Sequence, residues 1–271
     1  MDFREQRPVG PISNVVRCFW SLEYDGRETS DAEPVLPDGC PEIVFNLADR
    51  FQRLPRSGPV ETQSAAIISG QLRTRIMIRP TGRVRLFGIR FQPHAGSLIL
   101  GFPMSELTDQ IVPLEDVAAG RFDRLADLLH SAGTFDQMVN AAQMSLLVLA
   151  VVPSDQGLIA AALARRIADG GGSISVRELS RLSGIGERRI ERIFQKNIGL
   201  PPKLFGRILR FQSVVRSVES GSYFDPVDTA LAFGYYDQSH MIHDFKEFAG
   251  ISPVAYFAAT RQLSQAFVST D

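Results

Sequence analysis

Three arginines and a glutamate lie at helical steps in one short segment: Arg188, Arg189, Glu191 and Arg192. A guanidinium can donate two hydrogen bonds to O6 and N7 of guanine, and a carboxylate can accept one from N4 of cytosine. The alternative is a solvated helical surface on which Glu191 pairs with a neighbouring arginine. The segment is therefore a candidate for reading base edges, with Lys196 or Arg207 as candidate phosphate contacts.

The cations around this segment form a block in a chain whose net charge is only −1. From Ser173 to Val218 ten Lys or Arg accompany three Glu, whereas from Glu219 to Asp271 two accompany seven acids. Such a block is typical of a phosphate-binding surface, although a charge run is more often a solvated face. The ten cations are Arg177, Arg181, Arg188, Arg189, Arg192, Lys196, Lys203, Arg207, Arg210 and Arg216.

A second polar group follows in the acidic segment: Gln238, Ser239, His240 and His243. Glutamine can read adenine, and serine can contact a base or a phosphate. The spacing of the two histidines would also allow a metal, but a surface pair is the simpler interpretation. Because Asp244 follows and the segment is acidic, we expect the first group to supply most of any affinity for DNA.

Four polar residues of the N-terminal region could line a ligand pocket: Asp38, Glu42, Arg90 and His94. The structural alternatives are a turn at Asp38-Gly39 and an ion pair of Arg90. Only His94 lies among candidate strands, so no histidine-based metal site is expected. The chain also lacks a G-x-S-x-G motif, a Gly-rich phosphate loop and a His/Asp pairing of recognisable spacing. We therefore expect no enzyme, no catalytic residue, no cofactor and no metal.

The composition predicts a cytoplasmic protein of two domains. The 271 residues are 44% hydrophobic, enough for a core in each of two domains of about 100–200 residues. The longest apolar run, Leu146–Val152, is far shorter than the ~20 residues that span a bilayer, and the N-terminus lacks a signal-peptide pattern. We interpret Cys18 and Cys40 as reduced thiols and expect no membrane partner.

The N-terminal region must position the four pocket candidates. Short apolar or alternating runs between Gly- and Pro-containing turns continue to about residue 115 and predict a sandwich or barrel. Residues 53–63 are predicted to be an exposed loop. The predicted strands are Val15–Leu22, Glu42–Leu47, Ala65–Ser69, Arg73–Ile78 and Val84–Phe91.

Helical spacing then predicts a connector of two or three helices that extends to residue 169. Within it, the apolar segment Gln143–Val152 is either a buried core helix or a dimer interface. The glycines of segment 169–173 predict a flexible break, where we place the domain boundary.

The C-terminal region repeats one structural plan. Residues 174–182 and 187–197 predict two helices around a Gly-containing turn, and residues 226–233 and 237–249 repeat this helix-turn-helix. A helix that begins at Pro202 joins the two units. We expect this rigid helix to hold the two reading helices about one DNA turn, ~34 Å, apart.

The residues of this region resemble the AraC/XylS family of bacterial transcription regulators, over about 100 residues from Ile174 to Phe257. The first unit carries the resemblance in Glu178-Leu179-Ser180, Arg192-Ile193-Phe194, Gly199 and Pro201-Pro202. The second unit carries it in Ala230, Phe233-Gly234-Tyr235, Ser239, Phe245-Lys246, Phe248, Gly250, Ser252-Pro253 and Tyr256.

The resemblance implies double-stranded DNA as a partner, with base contacts at positions like Arg188, Glu191 and Arg192. RNA polymerase would be a further partner of an activator. The family usually adds a variable sensing or dimerising domain, and segments Val35–Leu47 and Phe87–Gly96 resemble a cupin-like one.

We therefore predict an α+β chain in three parts: a cupin-like β-barrel sensor domain over 1–115, a helical connector over 116–169, and an all-α domain over 173–271 with two helix-turn-helix units. The expected function is sequence-specific transcription regulation in response to a small-molecule effector. The alternative is an N-terminal domain that only dimerises or inhibits.

Overall fold

The computed structural model describes residues 1–25, 32–148, 154–220 and 223–258. Its strands are β1 (Asp2–Gln6), β2 (Val16–Asp25), β3 (Glu33–Val35), β4 (Glu42–Asn46), β5 (Phe51–Leu54), β6 (Glu61–Thr62), β7 (Ala66–Ser69), β8 (Ile76–Pro80), β9 (Arg83–Phe91) and β10 (Ile111–Pro113). Its helices are α1 (Gly96–Leu100), α2 (Leu114–Ala118), α3 (Asp123–Ser131), α4 (Phe135–Val148), α5 (Asp155–Asp169), α6 (Val176–Ser183), α7 (Glu187–Asn197), α8 (Pro202–Glu219), α9 (Pro226–Ala232), α10 (Gln238–Phe248) and α11 (Pro253–Ala258). None of these helices is long and apolar enough to cross a membrane.

The strands form two antiparallel sheets, ordered β1-β2-β9-β4-β7-β10 and β3-β8-β5-β6. Strand β9 lies inside the larger sheet, where Gly88 is opposite Trp20 of β2. Because side chains alternate along a strand, Phe87 and Ile89 pack toward the helices while Leu86 packs toward the smaller sheet. The larger sheet is thus covered on both faces.

Helices α1–α4 cover the outer face of the larger sheet. Helix α4 buries residues at steps of three and four, which is the spacing of one helical face. In the described part of the segment Gln143–Val152, Leu146 is buried in this core, whereas Met144, Leu147 and Val148 are exposed. The burial therefore leaves both interpretations of the segment open; residues 149–152 lie outside the described residues. The buried positions of α4 are Phe135, Met138, Val139, Ala142 and Leu146.

A second apolar core holds α5–α11 together around α8, which buries Phe205, Ile208 and Phe211. Leu36, from the loop after β3, is also buried in this core. We refer to β1–β10 with α1–α4 as the N-terminal domain and to α5–α11 as the C-terminal domain. The helices of the predicted connector are divided between the two cores, since α5 contributes Leu163 to the second.

The glycines between α5 and α6 form a compact turn rather than a flexible spacer. Gly172 has φ +75° and lies against Gly206 of α8 so closely that a Cβ atom would overlap the Gly206 carbonyl. Only glycine combines this backbone conformation with such an approach.

A β-rich N-terminal domain and a helical C-terminal domain with two helix-turn-helix units are confirmed. The predicted strand Arg73–Ile78 was wrong by three residues at its start, because the backbone N–H and guanidinium of Arg73 bind Asp109. Within the predicted loop 53–63, Glu61–Thr62 pairs with β5 as a short strand.

Candidate nucleic-acid interface

The first helix-turn-helix unit consists of α6 and α7. The Ser175 hydroxyl accepts a hydrogen bond from the Glu178 N–H at 3.1 Å and so caps α6. Helix α6 ends at Gly184, whose φ of +70° favours glycine. Ile190 and Phe194 anchor α7 in the core.

Helix α7 presents a cationic face. Glu191 is half-buried, and burial, followed by the charge of Glu187, raises its pKa. Within the described ranges, no ion pair or side-chain hydrogen bond holds Glu191 or the exposed cations. These groups are therefore available to a ligand. The exposed cations are Arg188, Arg189, Arg192 and Lys196.

The second unit consists of α9 and α10, and an aspartate caps each helix. Asp225 Oδ1 accepts from the N–H groups of Val227 and Asp228, both at 2.9 Å. Asp237 Oδ1 accepts from the His240 N–H at 2.7 Å. Both caps satisfy amides that a helix N-terminus leaves free, so the boundaries of this unit are encoded locally.

The predicted reading residues of α10 differ in exposure. Ser239 and His243 are exposed, whereas Gln238 and His240 are half-buried. The His240 ring packs edge-on against Tyr235 with centroids 5.3 Å apart. His240 thus also has a packing role that the sequence did not reveal.

Asp244 does not face the solvent. It is completely buried, and Arg207 of α8 binds it and Glu247, both at 2.6 Å. Burial disfavours the charged form of Arg207, but the two carboxylates outweigh it and raise the pKa of the guanidinium. Of the two phosphate contacts expected, Lys196 is available, whereas Arg207 is engaged within the protein.

Arg210 has a similar structural role. Its Nη1 donates to the Gly234 carbonyl at 2.8 Å, and its guanidinium lies 4.7 Å from the centroid of the Tyr235 ring. Arg207 and Arg210 therefore fasten the second unit to α8. Of the basic block, Arg207 and Arg210 on α8 are thus structural, whereas the cations on α6 and α7 are exposed.

One cluster of the described residues has metal-ligand geometry. Donor atoms of His243, Asp244 and Glu247 all lie within 4.8 Å of one another. Arg207 already pairs with both carboxylates, so a metal ion would have to compete with its guanidinium. His240, the other histidine considered for metal binding, is not a member.

Three of the four pocket candidates come together between the two sheets. The Nε of Arg90 lies 3.3 Å from Asp38 and 3.4 Å from Glu42, and the Trp20 indole N–H donates to Glu42. Burial raises the pKa of Glu42, with Arg90 opposing it. Half-buried His94 hydrogen-bonds the backbone of Asn14 instead, and burial lowers its pKa. Asp38, Glu42 and Arg90 thus form an internal network. Trp20 also belongs to this network, which was not predicted from the sequence.

The two cysteines are buried free thiols. Burial raises the pKa of Cys40 to about 11, and Arg17 Nη1 donates to its sulfur at 3.5 Å. Burial raises the pKa of Cys18 as well, so both thiols stay protonated at neutral pH.

A cleft of about 640 Å³ lies between the domains. Sequence reasoning missed it because its walls come from segments far apart in the chain. The N-terminal domain contributes Arg73, Thr74 and Asp109; the C-terminal domain contributes Pro201, Lys203, Leu204, Arg207 and Glu247.

Two known families match the chain. A family described as a helix-turn-helix domain matches residues 179–259, and a domain of unknown function, DUF6597, matches residues 4–113. The helix-turn-helix family is of the AraC type, so the C-terminal region is an AraC-type helix-turn-helix domain, as its residue pattern predicted. No protein of curated function matches the sequence.

Crystal structures of ToxT from Vibrio cholerae share the two-domain fold. The structure with bound unsaturated fatty acid superposes with a TM-score of 0.51 at 12% identity, covering 90% of this chain and 98% of that one. A ToxT structure in a P21 crystal form gives 0.50 at 12% identity, with 89% and 98% covered. The likeness establishes a common architecture over nearly the whole length of both chains.

Proposed function

We propose that the chain is a sequence-specific DNA-binding transcription regulator whose main reading helix is α7. The observation that carries this proposal is the exposed set of unpaired arginines beginning at the N-terminal end of α7, in an AraC-type domain. In a helix-turn-helix, that end of the second helix enters the major groove. Such a regulator would act in the cytoplasm without catalytic activity.

Helix α10 would contribute less to affinity. Its exposed Ser239 and His243 and half-buried Gln238 can hydrogen-bond DNA, but none is a permanent cation. Burial of Asp244 removes the repulsion that the sequence suggested, so a second, weaker reading helix fits this surface.

Binding of the full chain to DNA upstream of its own gene, over a salt series, tests the proposal. Replacing Arg188 and Arg192 with Ala should weaken binding by about 1–3 kcal/mol for each arginine that reads a base, on specific DNA only. Arg56→Ala/Arg124→Ala, which removes two exposed arginines elsewhere, is the charge-matched control. Equal weakening on random DNA, or by the control, would contradict base reading.

Lys196 is proposed as a phosphate contact. Lys196→Ala should weaken specific and random DNA equally and reduce the salt slope by about one. A loss confined to specific DNA would instead place Lys196 among the base-reading residues.

We further propose a small-molecule effector. ToxT structures with the same fold contain an unsaturated fatty acid or (E)-4-(8-methylnaphthalen-1-yl)but-3-enoic acid, both carboxylic acids. The predicted pocket residues remain Asp38, Glu42, Arg90 and His94. The interdomain cleft is a second candidate site for such an effector. A ligand of the folded state raises its melting temperature with saturable concentration dependence. We expect such a shift with long-chain carboxylic acids; no shift at any concentration would argue against this effector class.

Helix α4 supports the alternative of an N-terminal domain that dimerises. Met144, Leu147 and Val148 are 64%, 54% and 79% exposed on one helical face. Sedimentation over a concentration series should then show a dimer that Leu147→Glu dissociates. A chain that stays monomeric at all concentrations contradicts this alternative.

A further inference from the structure

The N-terminal domain contacts the C-terminal end of α7. Thr108 Oγ1 donates to the Gly199 carbonyl at 2.6 Å, and Ser97 Oγ donates to Asn197 Oδ1 at 3.3 Å. A Cβ atom on Gly199 would lie only 2.8 Å from the Met104 carbonyl oxygen. Here the backbones of the two domains are in direct contact.

The same domain contacts the C-terminal end of α10. The Arg75 N–H donates to the Phe248 carbonyl at 2.9 Å. A Cβ atom on Gly250, which follows α10, would lie 2.6 Å from Cζ of Arg75. One domain thus contacts the final turns of both proposed reading helices.

Helix α8, which joins the two units, is also attached. Gln212 Nε2 donates to the Pro37 carbonyl at 2.7 Å in a buried contact. Gly39 packs against Phe205, because a Cβ atom on Gly39 would lie only 3.0 Å from the Phe205 ring.

These contacts have two physical consequences. The last carbonyls of a helix lack intrahelical partners, so the bond from Arg75 satisfies the Phe248 carbonyl that α10 leaves open. The bond from Thr108 holds the Gly199 carbonyl just beyond the end of α7. They also lie at the opposite end of α7 from Arg188, which stays exposed. The domains can therefore be joined while the proposed reading face is free.

We propose that Thr108 and Arg75 are positioning residues that fix the distance and angle between the two reading helices. The N-terminal domain, and not α8 alone, then determines which spacing of DNA contacts the chain accepts. This inference concerns geometry within the protein, and only its extension to DNA spacing rests on the proposed function.

Spin labels at Arg181→Cys on α6 and Lys246→Cys on α10 would report the distance between the units in the full chain. Both positions are exposed, and the native thiols are buried. We expect Thr108→Val/Arg75→Pro, which removes both donors, to broaden the distance distribution. Thr108→Ser/Arg75→Ala retains both donors and should match the native chain. Superimposable distributions in all three would overturn the proposal.

Proline at position 75 could prevent folding, so Thr108→Val alone provides a near-isosteric second variant. It removes only the hydroxyl, and its distribution should broaden in the same direction, with Thr108→Ser as control. An unchanged distribution in this folded variant also contradicts the positioning role.

DNA sites with one or two base pairs inserted between the contacted segments test the extension. The native chain should discriminate against them, and removal of one hydrogen bond should reduce that discrimination about fivefold. Unchanged discrimination overturns the extension. If no chain binds specific DNA while the distances respond, the reading function fails and the positioning role stands.

Discussion

The guanidinium of Arg207 contacts three side chains of α10. It neutralises buried Asp244, binds Glu247, and lies over the Phe248 ring at 5.1 Å. Its role could not be read from the sequence, since Arg207 and Asp244 are 37 positions apart. An arginine in a basic block is equally compatible with a phosphate contact and an internal ion pair.

Arg207→Met should therefore destabilise the C-terminal domain. It leaves the Asp244 carboxylate buried without its counter-charge, which should lower the free energy of unfolding by about 2–4 kcal/mol. Urea unfolding measures this change. Adding Asp244→Asn should recover part of it, and a double variant no more stable than the single one would contradict the account.

Glu219 should make stability depend on pH. Burial raises its pKa to about 7, although the Tyr256 hydroxyl, which donates at 3.1 Å, acts in the opposite direction. The folded state thus holds the proton more tightly than the unfolded chain, whose carboxyl has its ordinary value of 4.5. This contribution to stability is fully present below 4.5 and is lost as the pH rises to 7.

Glu219→Gln removes this titration. We expect its melting temperature to exceed that of the native chain at pH 8 by more than at pH 5, as measured by circular dichroism. An equal difference at both values would show that Glu219 does not titrate in this range.

Strand β9 has no room for a side chain at Gly88. A Cβ atom on Gly88 would overlap the Trp20 indole, which lies between the two sheets. Gly88→Ala should cost about 1–3 kcal/mol by overpacking. Fluorescence of the one tryptophan in the chain reports this directly.

Gly133→Ala is the matched control for that substitution. Its Cβ atom would meet Gln137 at an ordinary 3.6 Å, so stability should change little. Equal destabilisation by both variants would indicate a general effect of replacing glycine rather than a clash with Trp20.

Elements with a clear alternating or helical spacing of apolar residues were predictable from the sequence. Elements that depend on contacts with distant segments of the chain were not. Alternation located β9, and helical spacing with a glycine turn located α6 and α7. Strand β1 was missed because its mostly polar residues lie at a sheet edge, where no apolar face marks it.

The candidate site shows the same division. The exposed arginines of α7 followed from helical spacing alone, because burial of Ile190 and Phe194 fixes which face turns outward. The network of Arg90 with Asp38 and Glu42 was anticipated only as an alternative to a pocket. Contacts of Thr108 and Arg75 with the ends of α7 and α10 depend on domain packing, which leaves no local pattern.

The whole molecule should unfold as one unit. Leu36 belongs to the N-terminal domain but is buried in the core of the C-terminal domain, 7% exposed. Leu36→Ala should cost about 2–5 kcal/mol and shift the transitions seen by Trp20 fluorescence and by helical circular dichroism together. Leu231→Ala, at a 62% exposed position, serves as control. Two separate transitions in the native chain would contradict a single cooperative unit.

The loop that carries Leu36 also limits how the chain could be recombined. A chimera that joins α5–α11 to an unrelated N-terminal domain would leave a leucine-sized hole in the core of the C-terminal domain and a buried Gln212 amide without its acceptor. Such a chimera would fold only if residues 36–39 were transferred together with the helices, or if the new N-terminal domain supplied a similar loop. Exchange of the N-terminal domain in this architecture is therefore constrained by the few residues of this loop, even though the C-terminal domain has a core of its own.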